Sequence, residues 1–549
     1  MMQGFSLRVH QNKVESEIYF SEQYDNIHFK TEHFEFVLEG LILNKKKLLQ
    51  EFAVSDFKNF ISERFHFRGI QFIDEFEGEF RGFIHDFQKN RVFVFTNPTA
   101  TQRVFYTKNE KGIFIDSSLV RLNKTVKTSG ISTKPDMESL YQLLTFGNTL
   151  EGDTPIFNVK KLLDGHFLDV EINNLIIIEK QYCNLYVPTG TLNNKGKAIK
   201  EIDFLFKEAV KLEYEKDIEI GTKHFSLLSG GLDSRVAILY ANKMQMKPDE
   251  VFCFSQSNYL DETVSRKIAK DYEIPYSFVP LDKGKFLKNI DRMTEISEGT
   301  SNCFGAIHMD FAFQNYAGSS FSIVHTGQVG GGVLGTFIAA EKDIKPRLSR
   351  MTANNRFLSK IESTTLSYFK NFDVEEHFLL RNIGFNKLVI GHQTINQYAH
   401  KTAPFMETNF LKFVFSLPAN WKYKNKFYLD WIKEYCGEAT KYTWERTRLK
   451  PDAKWKTLVG DKFVKRYYNI FYNRLLGKEY LVSMYPYQYY YDSSKEIQDY
   501  YQIYFNENFE RISDYPELSN DVKTIFLSEK FTDKSLAVNV LSIFKLFFD

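Results

Sequence analysis

The run Phe225-Ser226-Leu227-Leu228-Ser229-Gly230-Gly231-Leu232-Asp233-Ser234 decides how this chain reads. Phe225 to Leu228 have the apolar density of a short buried strand, and Val236 to Tyr240 begin a helix just behind. A strand that turns into a helix through Ser-Gly-Gly-Leu-Asp-Ser aims backbone N–H groups and the positive end of a helix dipole at one point, where an anion is held. Gly230 and Gly231 permit a close backbone approach that a side chain would block. Ser229 and Ser234 add hydroxyl donors. Asp233 would repel a phosphate unless a cation lay between them, which makes it a candidate Mg2+ ligand. No Gly-Lys-Ser/Thr follows, so the loop is not of the Walker kind.

Outward from this loop, strands alternate with helices. Val251 to Phe254 reads as the next strand and Glu262 to Tyr272 as the next helix, which predicts a parallel α/β sheet. Ile199 to Leu212 has apolar residues at helical spacing. Val187 to Gly196 is turn-rich and reads as a linker. Upstream, Phe34–Leu38, Gly78–Asp86, Arg91–Phe95, Gly165–Val170 and Leu175–Ile178 are β-branched and aromatic runs that predict antiparallel strands. The expected organisation is an α+β sandwich over 1–186, a linker over 187–197, an α/β parallel-sheet domain over 198–460 and a helical extension over 461–549. The pattern is mainly helical beyond about 340, and the Tyr-rich stretch Tyr485 to Tyr504 carries no motif.

The composition excludes several classes. A net charge of +2 over 549 residues gives no global field for nucleic acid or an acidic membrane. Cys183, Cys253, Cys303 and Cys436 form no CxxC pair, which argues against a disulfide framework or a zinc-cysteine cluster. The start, MMQGFSLRVHQNK, lacks the apolar core of a signal peptide. No run reaches the roughly 18 apolar residues of a membrane span. Leu541 to Phe548 carries Lys545 and reads as an amphipathic helix. The expectation is a cytoplasmic protein with no nucleic-acid or membrane partner; its oligomeric state is not legible.

The Ser229–Ser234 loop and its surroundings resemble the asparagine synthetase family, within the pyrophosphate-loop ATP-dependent amide ligases, over roughly residues 30 to 455. The resemblance implies ATP and Mg2+ as cofactors, with Ser229, Gly230, Gly231, Leu232, Asp233 and Ser234 on the pyrophosphate and Asp233 on the metal. It places Ser255, at the end of the second strand, beside the nucleoside. Asp261 and Glu262 fall at the family's acidic helix start, a pair that also fits compensation of a helix N-terminus. Glu298 falls where the family has a glutamate near the reacting acyl centre, able to deprotonate an attacking amine. Thr326 to Gly335 resembles a second phosphate-side loop, with Gly327, Gln328 and Gly330 facing the nucleotide. There Gln328 stands for the usual glutamate, and Gly331 and Gly332 for the usual acidic pair. Pro404–Glu407 and Phe410–Pro418 match the family's "PFLD…DFLEFALSLP" helix, mainly at core positions. Thr447 takes the place of a lysine that steadies the α-phosphate, leaving Arg446, Arg448 or Lys450 to supply positive charge; Arg446 and Arg448 are the preferred pair.

The family begins with a glutaminase domain whose nucleophile is an N-terminal cysteine. This chain has no cysteine before Cys183. The Asn-Gly-Glu segment reads Glu39-Gly40-Leu41, and the Arg-Asp strand end reads Thr96-Asn97-Pro98-Thr99-Ala100. The resemblance therefore implies a degenerate Ntn-hydrolase-like domain, of the kind found in β-lactam synthetases and lasso-peptide cyclases. The implied reaction is amide-bond formation through an acyl-adenylate, with AMP and pyrophosphate released and no glutamine hydrolysed. Its partners would be small-molecule carboxylate and amine substrates. Two alternatives stand beside it: a non-catalytic ATP-binding or scaffold protein, and an enzyme that modifies a peptide or sugar precursor.

Overall fold

Strand-forming runs over the first third and apolar helical spacing over the rest produce two different architectures. The computed structural model describes residues 3–20, 24–471 and 482–549. Met1, Met2 and part of the expected C-terminal extension lie outside the described residues. The chain forms two compact units: one of residues up to Gln142 with Thr149–Val187, the other of Leu143–Asn148 with Pro188–Phe547. The short excursion at 143–148 is not visible in the sequence pattern, because a single helix, Met137–Phe146, runs across the boundary.

The first unit holds strands Phe5–His10 (β1), Lys13–Ile18 (β2), Ile27–Lys30 (β3), Phe34–Ile42 (β4), Gly78–Asp86 (β5), Arg91–Thr96 (β6), Phe105–Asn109 (β7), Gly112–Asp116 (β8), Lys160–Lys161 (β9), His166–Glu171 (β10) and Ile176–Gln181 (β11). They make a five-stranded sheet, β2-β1-β8-β7-β9, and a six-stranded sheet, β11-β10-β6-β5-β4-β3. Every pairing in both sheets is antiparallel. Leu7, Val9, Ile113 and Ile115 of one sheet bury against Val37, Phe83, Val94 and Leu168 of the other. Helix Phe57–Arg68 (α1) covers the outer face of the six-stranded sheet, with Phe65 packed edge-on against Phe34 and Phe93. Helix Leu119–Thr128 (α2) packs on β7 and β8. The strands expected from Gly165 and Leu175 begin one residue later, at His166 and Ile176. Gly165 itself is turned at φ +65, and a side chain there would strike the Cys183 carbonyl.

The second unit opens with helix Lys195–Ile220 (α3), capped by the Asn194 side chain, which accepts the Lys197 N–H at 3.0 Å. The helix thus starts inside the stretch that reads as linker, because Asn194 supplies an N-cap that apolar periodicity does not reveal. Strand Phe225–Leu227 (β12), helix Leu232–Lys243 (α4), strand Glu250–Ser255 (β13), helix Leu260–Asp271 (α5) and strand Tyr276–Pro280 (β14) follow. Helices Ile290–Ser297 (α6) and Ile307–Gln314 (α7), then strands Ile323–His325 (β15) and His400–Thr402 (β16), complete a sheet of order β14-β13-β12-β15-β16. All of its pairings are parallel. Beyond β16 the described chain is helical, ending in Phe531–Phe547 (α8), which packs on α6. The Tyr-rich stretch supplies core: Tyr490 and Tyr501 are buried, Tyr501 O–H donates to the Leu287 carbonyl at 3.1 Å, and Tyr485 stacks on His308 with centroids 4.3 Å apart. All four cysteines are buried and form no disulfide with one another. Among the described residues, no helix is long and apolar enough to cross a membrane.

Candidate functional site

From β12 the chain moves through β13 and β14 on one side, then crosses to β15 and β16 on the other. Loops leaving β12 and β15 therefore diverge from neighbouring strand ends, the arrangement in which open parallel sheets form their ligand crevice. Ser229–Ser234 follows β12 and Thr326–Gly335 follows β15, so the two glycine-rich segments meet at this switch point.

The first loop is held in shape by its own hydroxyls and by neighbours. The Ser229 Oγ accepts the Gly231 N–H at 3.1 Å and lies 3.1 Å from the Ser234 Oγ, which accepts the Ser229 N–H. Gly230 is clamped at both backbone atoms. Its N–H donates to the Asp261 carboxylate at 2.8 Å, and its carbonyl accepts from the Arg235 Nη2 at 2.9 Å and the Glu445 N–H at 3.1 Å. A side chain at 230 would meet the Leu260 carbonyl at 3.0 Å and the Glu445 Cβ at 3.1 Å. Leu232 is buried and anchors the loop to the core. Gly231 is the N-cap of α4, and among the described residues no side-chain hydrogen bond caps this twelve-residue helix. Its first N–H groups and dipole therefore lack the side-chain acceptor that usually satisfies them.

The second loop passes directly over that helix end. A Cβ on Gly327 would sit 2.3 Å from the Ser234 nitrogen, and one on Gly330 2.8 Å from the Asp233 Cγ. Between them Val329 holds φ 68, a conformation that costs a β-branched residue about 1–3 kcal/mol. The Gly331 N–H donates to Asp233 Oδ2 at 2.7 Å, and the Tyr428 O–H donates to Oδ1 at 3.0 Å. Packing around this carboxyl pushes its pKa up to about 6, against the two hydrogen bonds and the Arg446 charge. The backbone N–H at 331 thus serves Asp233. The Gln328 amide is directed elsewhere and donates to the Leu388 carbonyl at 2.6 Å.

Of the remaining expected residues, some converge here. Arg446 acts electrostatically on Asp233, while its guanidinium pairs with Asp461 at 2.8 Å and donates to Asn425. Arg448 is buried at φ 61, with its guanidinium over the rings of Tyr259 and Tyr468. Its Nη2 reaches the Tyr259 hydroxyl at 3.1 Å and the Val482 carbonyl at 3.2 Å, while Nε and Nη1 find no acceptor among the described residues. Thr447 is buried and carries no charge. Ser255 ends β13 with its hydroxyl on the Gln256 carbonyl at 3.0 Å. Beyond it, a cavity of about 440 Å³ opens beside Gln256, lined by Lys283, Lys285, Lys288 and Glu496. Glu298 is not a solvated surface residue: it is buried and terminates α6 at φ 54.

Several residues of this centre are not singled out by the motif. Arg235 is fully buried, and its guanidinium donates to the carbonyls of Gly230, Ala439, Tyr442 and Thr443. Asp261 reads from sequence as helix-end compensation; in the fold it is a ligand of the loop backbone. Burial, with Glu445 adding to it, raises its pKa to about 7. Tyr259 links this acid pair to Arg448 by donating to Glu445. The only sequence signal for Arg235 was its adjacency to Ser234; Asp261, Tyr259 and Glu445 lie too far along the chain to announce their contacts.

In the first unit, the strand end expected at a glutaminase substrate site hydrogen-bonds among its own polar groups. Asn97 Nδ2 donates to Thr101 Oγ1 at 2.8 Å and to Thr99 Oγ1 at 2.9 Å, and Thr101 donates to Glu79 at 2.5 Å. Arg81, which pairs with Glu39 at 2.5 Å, also donates to the Gln3 carbonyl at the start of the described chain.

No known family profile matches the chain. Among solved structures, a Bacillus subtilis glutamine phosphoribosylpyrophosphate amidotransferase complexed with ADP and GMP aligns over 50% of this chain and 59% of its own at 9% identity and a TM-score of 0.23. A structure described as the allosteric regulatory enzyme of purine biosynthesis gives 10% identity, the same coverage and a TM-score of 0.22. Overlaps this slight carry no argument. Among curated proteins, the glutamine-hydrolyzing asparagine synthetase 2 of Bacillus subtilis (strain 168) is 24% identical over 255 residues. That match covers 44% of this chain and 33% of the synthetase, so the chain spans about a third of that relative's length. The protein is thus similar, over under half its length, to an asparagine synthetase.

Proposed function

We propose that the second unit is an ATP-dependent carbon–nitrogen ligase that activates a carboxylate as an acyl-adenylate and passes the acyl group to an amine. One observation carries this reading: two glycine-rich loops from adjacent parallel strands converge on the side-chain-uncapped N-terminus of α4 at the sheet's switch point. The similarity to an asparagine synthetase supports it. The α4 N–H groups and the Ser229 and Ser234 hydroxyls bind the departing pyrophosphate. The Arg448 donors that lack acceptors among the described residues, with Arg446, stabilise charge that builds on the α-phosphate as the substrate carboxylate attacks. The bond formed is carboxylate oxygen to α-phosphorus, and the bond broken joins the α-phosphorus to the bridging oxygen. An amine then displaces AMP, with Glu298 the candidate to take its proton.

The donor set fits one magnesium ion. Among the described residues each Asp233 oxygen accepts a single hydrogen bond and keeps a further lone pair, and one carboxylate suffices when phosphates and water complete the octahedron. Magnesium would lower the charge of the nucleotide phosphates. The mutual hydrogen bonds of Asn97, Thr99 and Thr101 support an amine or free ammonia as nitrogen source rather than glutamine.

Pyrophosphate release across a panel of carboxylates and amines tests the proposal. At least one pair should give release that Asp233→Ala abolishes. If no pair gives release and Asp233→Ala leaves ATP affinity unchanged, the ligase reading fails. A second reading, a nucleotide-binding protein without catalysis, is favoured by Gly331 and Gly332 at the positions of the usual acidic pair. It predicts ATP binding that Asp233→Ala weakens, without pyrophosphate release from any pair.

A further inference from the structure

Between α3 and the strands β12 and β15, two histidine rings converge on one carboxylate oxygen. Asp217 lies one helical turn after Glu213 on α3, His224 immediately precedes β12, and His325 closes β15. The His325 Nε2 lies 2.6 Å from Asp217 Oδ2 and the His224 Nδ1 2.7 Å from the same oxygen. These three ligand atoms all fall within 4.8 Å of one another. The other oxygen, Asp217 Oδ1, is buried without a hydrogen-bond partner among the described residues. Both rings thus meet one oxygen, and the other keeps a buried lone-pair site unmet among the described residues.

The outer contacts are those of a prepared metal ligand. The far nitrogen of His325, Nδ1, lies 2.8 Å from Thr402 Oγ1 and 3.5 Å from Glu213 Oε2. A hydroxyl or carboxylate on the far nitrogen fixes the tautomer and turns the near nitrogen's lone pair toward a metal. Tyr214 stacks on the His325 ring at 4.3 Å and locks its plane. His325 and Asp217 are buried, whereas the His224 side chain is 16% exposed and gives a path from solvent.

We propose that Asp217, His224 and His325 form a binding site for one divalent cation of the zinc class. Two imidazoles and a carboxylate match zinc and its neighbours, and a water would complete a tetrahedron. The cation would tie α3 to the two strands that lead into the glycine-rich loops. It is separate from the magnesium expected at Asp233.

The test uses the untagged full chain, stripped with a chelator and titrated with Zn2+ alone, with Mg2+ as the control. Wild type should retain one Zn2+ per chain, show a higher Tm on adding it, and be indifferent to Mg2+. His224→Gln, at a partly exposed position, should weaken Zn2+ binding at least about 100-fold, and Glu213→Gln about 10–100-fold. Zinc retained with unchanged affinity in His224→Gln, or no zinc retained by wild type, overturns the site. Cobalt supplies a readout that needs no variant: wild type should give the strong visible absorption of a four-coordinate ion, and a weak six-coordinate spectrum overturns the assignment.

Discussion

At the phosphate loop the fold alters the chemistry of Asp233 and Asp261. Packing raises Asp233 to about 6, so a cation there must displace a proton at mildly acidic pH. Nucleotide-linked Mg2+ binding should fall by up to about tenfold per unit as pH drops below about 6, which calorimetric titration across pH 5 to 8 would check. Asp261 is raised to about 7, first by burial and then by Glu445. Its stabilising contribution is complete below the unfolded carboxyl value and is lost as pH rises through about 7. Asp261→Asn keeps an acceptor for the Gly230 N–H without the charge. Its stability relative to wild type should therefore be greater at pH 8 than at pH 5 by about 1–4 kcal/mol, measured by denaturant unfolding. Gly327 has no room for a methyl group, because a Cβ would overlap the Ser234 nitrogen. Gly327→Ala should cost about 1–3 kcal/mol and remove nucleotide binding, read by Tm and by an ATP titration.

At the scale of elements, the loop after β12 is a clamped part. Arg235 on the first turn of α4 joins the loop to the 439–443 segment through four carbonyls. A planar fork reaches these acceptors together, and a lysine ammonium cannot. Arg235→Lys should lower stability by roughly 2–4 kcal/mol, which equilibrium unfolding would show. The tyrosines over 485–504 act on a second element, the approach to α6. Tyr500 and Tyr501 donate to the carbonyls of Lys288 and Leu287 at 2.6 and 3.1 Å, and Tyr504 to the Asp291 carboxylate. They hold the helix that carries Glu298 at its end, which gives a physical role to a stretch without a motif.

For the molecule as a whole, the two units have distinct cores and distinct sheet topologies. The first keeps an antiparallel double sheet, with Asn97, Thr99, Thr101 and Glu79 joined in one hydrogen-bonded cluster. The full chain incubated with glutamine should release no glutamate above background, and any steady release would refute the proposed nitrogen source. The second unit carries the glycine-rich loops of the proposed ligase.

The sequence alone was enough to expect a strand from Phe225, a loop over 229–234 and a helix through Val236–Tyr240, because local propensity and backbone freedom are written in adjacent residues; the helix starts earlier, at Leu232. The alternation of strand and helix announced the parallel sheet for the same reason. It could not show that Asp261, Arg235 and Glu445 grip Gly230, that Gly331 hands its N–H to Asp233, or that Glu298 is buried. Nor did it hint that Asp217, His224 and His325 meet, since 108 residues separate the first from the last along the chain. Those contacts are set by strand order: placing β15 beside β12 brings residues distant in sequence to one point, and only the folded sheet fixes that order.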